Sequence, residues 1–373
     1  MKIDCSDTLT DEQKAEWCVF LAQSQHQHPR QDLRFVDVMR AMGEEVLFVM
    51  GRQNGAVCAV GLFSLHPSRF LPGRIALATA LSGPVCDDED TLVDFVQNMA
   101  AHPQFAKVDA ICITPYWLGE QAESLTGRLT AAGFRVTDPK PYRDTGVIDL
   151  TMSEEELQAS FSRSARRKVR LVEKSEIEIR RIDTLADTET FFERLNRLVI
   201  ARHNLTPVPH SEQQAGFHHI FSDPSIGIIF GAYHEENFLG GLLLYRSGKT
   251  AHARRYVADP GAAKAVGNLR VAPALWLQGL FWARREGCTQ FDVEGYFPVD
   301  DKSHPNFNVY EYKREFKPDH IQRVAEHTLV LNRTSHSINT MPRRGKNAVK
   351  SILARLKQLN PKHLKRRTAL KAD

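Results

Sequence analysis

Several kinds of segment are missing from this sequence, and each absence narrows the class of protein. No apolar run approaches the roughly 18 residues that a membrane-spanning helix needs. Residues 1–17 are polar and acidic, which predicts neither a secretory signal nor a transit peptide. The six cysteines are scattered without a C-x-x-C pair, as is typical of reduced thiols. These absences predict a cytoplasmic protein.

Common catalytic motifs are also missing. There is no G-x-S-x-G and no phosphate-binding loop of the Walker type, so neither a hydrolase triad nor a nucleotide triphosphatase is indicated. His218 and His219 are adjacent, and helical neighbours diverge by about 100°, so they are poorly placed to share a metal. The sequence therefore predicts no metal site and no bound prosthetic group.

Length and charge point to two domains with a distinct tail. The chain has 373 residues, which is long for a single hydrophobic core. Its net charge of +4 is uneven, because residues 341–373 hold eleven Lys or Arg and one acidic residue. Residues 1–340 therefore carry −6. The pattern predicts a mildly acidic body and a strongly basic tail.

The two halves of the chain read in a similar order. In the first half, Asn54-Gly55 separates two apolar runs, which predicts a hairpin, and two strand–helix units follow. In the second half, another hairpin turns at residues 235–237, and a strand and an apolar helix ended by Gly287 follow. The repeated order predicts two α/β domains with mixed sheets, at residues 1–150 and 151–335.

The stretch Arg270–Phe316 is typical of a scaffold for a site. After the apolar helix, Asp292 and Glu294 alternate with apolar residues, which predicts a short strand with two carboxylates on one face. A polar, proline-broken loop leads to the sequence YEYKREF, from Tyr310 to Phe316, which we interpret as a second strand. Together they predict a buried helix that feeds an aromatic and basic hairpin.

These motifs carry a resemblance. ARREGCTQFDVEG followed by YEYKREF resembles the pattern of FemABX-type peptidyltransferases, which are pairs of acyltransferase-like (GNAT) domains. The tripeptide Gly-Pro-Val within LSGPV, and the basic run at Ser162–Leu171, resemble family features as well. The resemblance spans roughly residues 30–335 and is most specific in the second half. It implies a tandem GNAT fold, to which a basic C-terminal helix in residues 336–373 would be added.

The resemblance also implies an activity. It would be transfer of an aminoacyl or acyl group to an amine of a cell-envelope precursor, of the peptidoglycan or surface-polysaccharide type, with aminoacyl-tRNA or acyl-CoA as co-substrate. Two alternatives stay open at this point. One is acyl-CoA-dependent N-acylation of a small molecule, and the other is a non-catalytic GNAT pair that binds RNA or membrane.

The same resemblance assigns site residues. It makes Lys313 the catalytic residue that stabilises the tetrahedral oxyanion. Arg314 and Tyr310 would bind substrate beside it. The proton of the acceptor amine would go to Asp292, Glu294 or a water, and the sequence does not distinguish among these three.

The basic run from Ser162 to Leu171 adds a second set of substrate-binding residues. Arg166, Arg167 and Arg170 share one helical face, a geometry that suits a phosphate or carboxylate. The alternative is that this basic face is exposed to solvent and binds no substrate. An anionic envelope precursor and transfer RNA are the partners that this pattern favours.

Two positions depart from the family pattern. Glu315 stands where the family usually has glycine beside the Lys-Arg motif. Gly267–Arg270 replaces the glycine-rich pattern with which ordinary GNAT enzymes bind CoA. The second departure puts acetyl-CoA in doubt as the donor.

The basic tail has its own predicted role. Apolar residues recur on one side of 346–359 while lysines and arginines surround them, which is typical of a basic amphipathic helix. Residues 343–367 would contact an anionic membrane or nucleic acid. The alternative is that the apolar stripe packs back on the first domain.

Overall fold

The fold is described from a computed structural model of the chain. It describes residues 1–138, 144–203, 207–267, 269–303 and 307–340. The predicted amphipathic helix and its membrane contact, in the tail at 341–373, lie outside the described residues.

The first half contains the predicted hairpin and the strand–helix units after it, together with a first strand and a short helix before the hairpin that were not predicted. Its strands are β1 (Lys2–Ser6), β2 (Glu45–Gln53), β3 (Ala56–Pro67), β4 (Ile75–Ala80), β5 (Ala110–Ile113) and β6 (Arg135–Asp138). Its helices are α1 (Asp11–Gln23), α2 (Val36–Ala41), α3 (Glu89–Ala101) and α4 (Gly119–Ala131), with short 3₁₀ turns at Pro29–Gln31, Leu33–Phe35 and Pro103–Phe105.

The second half has more helix. Its strands are β7 (Asp144–Asp149), β8 (Ile177–Arg181), β9 (Gly227–His234), β10 (Asn237–Ser247), β11 (Thr250–Ala258), β12 (Gln290–Asp292), β13 (Asp319–Gln322) and β14 (Glu326–Val330). Its helices are α5 (Glu154–Ser160), α6 (Arg163–Glu173), α7 (Leu185–His203), α8 (His210–Gly216), α9 (Pro260–Ala265), α10 (Ala272–Arg285), α11 (Phe307–Arg314) and α12 (Arg333–Thr340), with a π-turn at Phe217–Phe221.

The strands form two mixed sheets of seven, which confirms the predicted fold class. The first sheet has the order β1-β2-β3-β4-β5-β14-β6, and the second has the order β13-β7-β12-β11-β10-β9-β8. Each sheet thus contains one strand from across the predicted boundary at residue 150. β7 precedes the predicted boundary at 150 yet pairs with β12 and β13, whereas β14 inserts between β5 and β6. The division at 150 and 335 stays a prediction.

The chain's local signals explain many element ends. Thr10 and Ser153 each form a capping box, in which the side chain accepts a hydrogen bond from the N3 amide and the N3 side chain accepts one in return. Asn54 and Gly55 have φ values of 51° and 85°, as the predicted β2–β3 hairpin requires. Gly287 ends the segment after α10 with φ 79°.

The prediction of a strand at Tyr310–Phe316 is wrong, because most of this segment is the helix α11. Tyr312 and Phe316 are one turn apart, so they lie on the same side and reach the same core residue, Trp276. Their ring centroids lie 5.7 and 4.9 Å from that of Trp276, which is 1% exposed on α10. The alternation of Tyr310 and Tyr312 is typical of a strand, but the four-residue spacing of Tyr312 and Phe316 fits the helix that is observed.

Candidate active site

A buried hydrogen-bond network joins the two halves at the end of β12. Asp292 is fully enclosed and accepts hydrogen bonds from the Tyr116 hydroxyl at 2.8 Å, the Glu294 amide at 2.7 Å and the Thr145 hydroxyl. Tyr116 follows β5 in the first half, whereas Thr145 is on β7. Burial, and then the charge of Asp292, raise the pKa of Tyr116 far above its usual value. The phenol is therefore a permanent donor, and the network fixes the junction.

Glu294 lies just beyond the strand in a strained conformation. Its φ is 46°, in the left-handed region that non-glycine residues rarely adopt. Its carboxylate accepts a hydrogen bond from Arg254 of β11 at 3.0 Å. Burial alone would raise the pKa of Glu294, but Arg254, His252 and Arg323 together lower it to about 2. Glu294 is thus a fixed anion near neutral pH.

Lys313 reaches this point from α11. Its ammonium donates hydrogen bonds to the carbonyl oxygens of Glu294 and, at 3.3 Å, Gly295. Burial lowers the pKa of Lys313 to about 8, against the opposing attraction of Glu294 and Asp292. An ammonium has three N–H donors. Among the described residues, two acceptors occupy two of these donors.

Arginines from both halves meet beside these carboxylates. Arg30, in a first-half 3₁₀ turn, lies so near Arg254 that repulsion between them, followed by burial, lowers the pKa of Arg30 to about 10. Arg323 follows β13 and lies over the Tyr116 ring, with its guanidinium carbon 5.2 Å from the ring centroid. Packing guanidinium groups together is costly unless an anion neutralises them. The junction therefore suits an anionic group.

The junction also contains three potential metal ligands. Ligand atoms of His28, His252 and Glu294 all lie within 4.8 Å of one another. Charge opposes a cation there, because Arg254 already binds Glu294. Burial is the main cause that lowers the pKa of both histidines, and the positive charge of the nearby arginines lowers it further. The same surroundings favour a neutral or anionic occupant.

The basic run lies on α6, as predicted, and α6 contacts the end of α11. Glu315 accepts from the Lys168 ammonium at 2.5 Å and the Ser164 hydroxyl at 3.1 Å, and its carbonyl oxygen accepts from the Ser162 amide at 2.9 Å. Glu315, which stands where the family pattern has glycine, therefore links α6 to the end of α11, the helix that holds Lys313.

The arginines of α6 face away from this link. Arg167 and Arg170 are exposed and Arg166 is half-buried, and none of the three forms an ion pair with the described part of the chain. Arg314, by contrast, pairs with Glu311 of its own helix at 2.8 Å. The substrate-binding roles of all these residues, and of Tyr310, stay predictions.

The sequence prediction included only part of this constellation. It named the carboxylates and the lysine, but it missed the residues that converge from distant segments: His28, Arg30, Tyr116, His252, Arg254 and Arg323. The Tyr116–Asp292 bond spans 176 positions, so no local pattern could reveal it. The available signal was the pair Arg254-Arg255 on a strand, a costly place for two cations without an anionic partner.

Within the part of the chain that the structure describes, no helix is long and apolar enough to cross a membrane.

Comparison with known proteins agrees with this architecture. Residues 159–314 match the family model of an acetyltransferase (GNAT) domain. No curated protein matches the chain in sequence.

Solved structures extend the likeness over both halves. The crystal structure of FemX is 16% identical, with a TM-score of 0.75 over 90% of this chain and 98% of FemX. L-PGS from Bacillus licheniformis is 12% identical, with a TM-score of 0.51 over 89% of this chain and 98% of its own. A tandem GNAT protein from the clavulanic acid biosynthesis pathway is 12% identical, with a TM-score of 0.50 over 89% of this chain and 99% of its own.

The family match places α6, α10, α11 and the carboxylates within one catalytic domain type, and the structural matches show the paired fold. Residues 159–314 thus form a domain of the acetyltransferase (GNAT) type, and the chain as a whole has a tandem fold like that of FemX.

Proposed function

We propose that this protein transfers an aminoacyl or acyl group, in the cytoplasm, to an amine on an anionic cell-envelope precursor. The observation that carries the proposal is the position of Lys313 beside the cationic junction. Its third N–H, which no described residue occupies, can donate to a developing oxyanion, while Arg30 and the N–H groups of Arg254 that do not bind Glu294 can hold an anionic group of the acceptor. An activated ester or thioester needs little more than such positioning and charge stabilisation.

The nature of the acceptor is supported by the arginines and by the likeness to FemX and L-PGS. A phosphate or carboxylate between Arg30 and Arg254 would relieve their repulsion. The exposed Arg167 and Arg170 add positive charge to α6, a helix that the Lys168–Glu315 pair joins to the end of α11. We propose Arg166, Arg167 and Arg170 as a second contact for the same anionic acceptor or for transfer RNA.

The donor separates two versions of the proposal. The likeness to FemX and L-PGS favours aminoacyl-tRNA, whereas the acetyltransferase family match favours acyl-CoA. Purified protein would be incubated with an extract of nucleotide-linked envelope precursors and either transfer RNA charged with radiolabelled amino acids or radiolabelled acetyl-CoA. Label transfer that ribonuclease abolishes identifies the first donor. Transfer from acetyl-CoA that survives ribonuclease identifies the second.

Variants at Lys313 test the site itself. Lys313→Met should lower turnover by roughly 10²–10³-fold, the scale of losing one oxyanion donor. Lys174→Met, an exposed lysine at the end of α6, is the matched control and should keep wild-type turnover. Wild-type turnover in Lys313→Met would remove this residue from the mechanism, and no label transfer by the wild type from either donor would refute the proposed activity.

The pKa of Lys313 gives an independent readout. The charged form of this lysine stabilises an oxyanion far better than the neutral amine does, so turnover should fall as pH rises through about 8. Lys313→Arg keeps a cation to a much higher pH and should lose that decline. A variant with the same high-pH decline as the wild type would assign the titration to another group.

A further inference from the structure

The imidazole of His252 is buried and has no hydrogen-bond partner among the residues that the structure describes. His252 lies on β11 with its side chain 1% exposed, and neither ring nitrogen is bonded to any described group. Buried polar atoms are nearly always paired, because an unmet donor or acceptor costs about 1–3 kcal/mol. Such a cost, in the middle of a polar site, indicates a function for the ring.

The two neighbouring carboxylates are poor proton acceptors, although the sequence favoured them for that role. Asp292 already accepts three hydrogen bonds, from Tyr116, Thr145 and the Glu294 amide. Glu294 is held by Arg254, and its low pKa makes it a weak base. Among the described groups at the junction, His252 is the base with both ring nitrogens unoccupied, whereas Nδ1 of His28 already accepts from the Arg30 amide at 3.2 Å.

The surroundings of His252 set its charge. Asp292 and Glu294 face it from the segment after β12, Arg254 from its own strand, Arg323 from the chain after β13, and His28 from the first half. Burial lowers the pKa of His252 although both carboxylates oppose the shift. A neutral imidazole has a free lone pair for a proton. Asp292, whose nearer oxygen is 3.8 Å from Nδ1, would stabilise the imidazolium that forms.

The ring is within reach of a small polar atom at the junction. Because ligand atoms of His28, His252 and Glu294 lie within 4.8 Å of one another, one nitrogen or oxygen placed among them would be near all three. Glu294 also links this cluster to Lys313, because its carboxylate lies in the cluster while its backbone carbonyl accepts a hydrogen bond from the Lys313 ammonium. The proposed oxyanion donor and the free imidazole are thus connected through one residue.

We infer that His252 accepts the proton of the acceptor amine, directly or through one water, and returns it to the leaving group. The inference rests on the proposed function. In the step, the amine nitrogen forms a bond to the carbonyl carbon of the donor, and its proton passes to the free nitrogen of His252. The tetrahedral intermediate then breaks its carbon–oxygen or carbon–sulfur bond, and the imidazolium gives that proton to the departing oxygen or sulfur. Amide and alcohol, or amide and thiol, are the products.

His252→Gln tests this assignment in the label-transfer assay. We expect kcat to fall 10²–10⁴-fold, the range of general base catalysis, with KM within threefold of the wild type. His327→Gln, which changes a buried histidine on β14 of the first sheet, is the control for the cost of replacing such a residue. Wild-type kcat in a folded His252→Gln variant would overturn the inference.

The pH profile is the readout that a structural role would not change. Wild-type kcat should decline at a pH below the ordinary histidine range, because burial lowers the pKa of His252 and the protonated ring cannot accept a proton. Asp292→Asn should move this decline to lower pH, since the carboxylate that favours the charged ring is gone. A wild-type profile without this decline, or one that Asp292→Asn leaves in place, would overturn the inference even if His252→Gln failed to fold. An inert wild type would instead refute the proposed transferase, and the proton route with it.

Discussion

The hydroxyl of Tyr116 gives a sharp test of the junction, because one atom can be removed without changing packing. In Tyr116→Phe the ring keeps its place, but Asp292 loses the donor at 2.8 Å. Tyr116 is 4% exposed and Asp292 is 0% exposed, so water has little access to replace that donor. A hydrogen bond to a charged group contributes about 1.5–3 kcal/mol, and enclosure places this one in the upper part of that range.

The expected loss is therefore about 2–3 kcal/mol in the free energy of unfolding. With a urea dependence of about 3 kcal/mol per molar, the unfolding midpoint should fall by roughly 0.7–1 M. The measurement is urea unfolding at neutral pH, followed by both tryptophan fluorescence and circular dichroism. Coincident curves from the two probes would show that the halves still unfold together.

Tyr312→Phe is the matched control, because its hydroxyl is enclosed and has no hydrogen-bond partner in the described part of the chain. Removing an unmet polar group should leave stability within about 0.5 kcal/mol of the wild type or raise it. Equal losses in the two variants would show that ring packing, and not the bond to Asp292, explains the effect. No loss in Tyr116→Phe would contradict the role given to the network.

Three further predictions concern charge. Arg167→Ala should raise KM for the acceptor more than it lowers kcat, and an unchanged KM for every acceptor tested would mark α6 as a solvated face. The pairing of Glu294 should stabilise the fold fully above its unfolded pKa of 4.5, and this contribution should be lost as pH falls from there towards about 2. The stability difference between wild type and Arg254→Met, measured by urea unfolding, should shrink over that interval, and a constant difference would refute the pairing. Truncation after Pro342 should abolish weak, salt-sensitive binding to anionic vesicles while the rest stays folded, and vesicle sedimentation at two salt concentrations measures this. Equal binding before and after truncation would exclude the membrane contact, and melting of the truncated protein would favour a tail packed on the first domain.

The sequence predicted those parts of the fold that short-range signals determine. These signals act within a few residues, so they can be recognised in the sequence alone. Examples are the capping residues Thr10 and Ser153 and the turn at Asn54-Gly55. Tyr310–Phe316 was misread because period-two and period-four signals overlap there, and contact with Trp276 on another helix decides between them.

The site was harder to predict, for a related reason. Lys313, Asp292 and Glu294 lie in one stretch with a family pattern, whereas His28 and Tyr116 come from segments that local chemistry does not mark. Their meeting depends on the packing of one half against the other. His252 shows what the sequence alone cannot predict. Its distinguishing property is that its ring has no hydrogen-bond partner among the described residues, and this depends on its neighbours in three dimensions.

The exchange of β7 and β14 between sheets has a consequence for how the chain is made. β14 pairs with both β5 and β6 in the first sheet, although it comes almost two hundred residues later in the sequence than β6. A ribosome releases the N-terminal half long before that strand, so β5 and β6 must wait with open edges while the entire second half emerges. During synthesis the nascent first half should therefore bind chaperones until β14 arrives, and a stop codon placed before it should give an aggregating product instead of a free-standing domain.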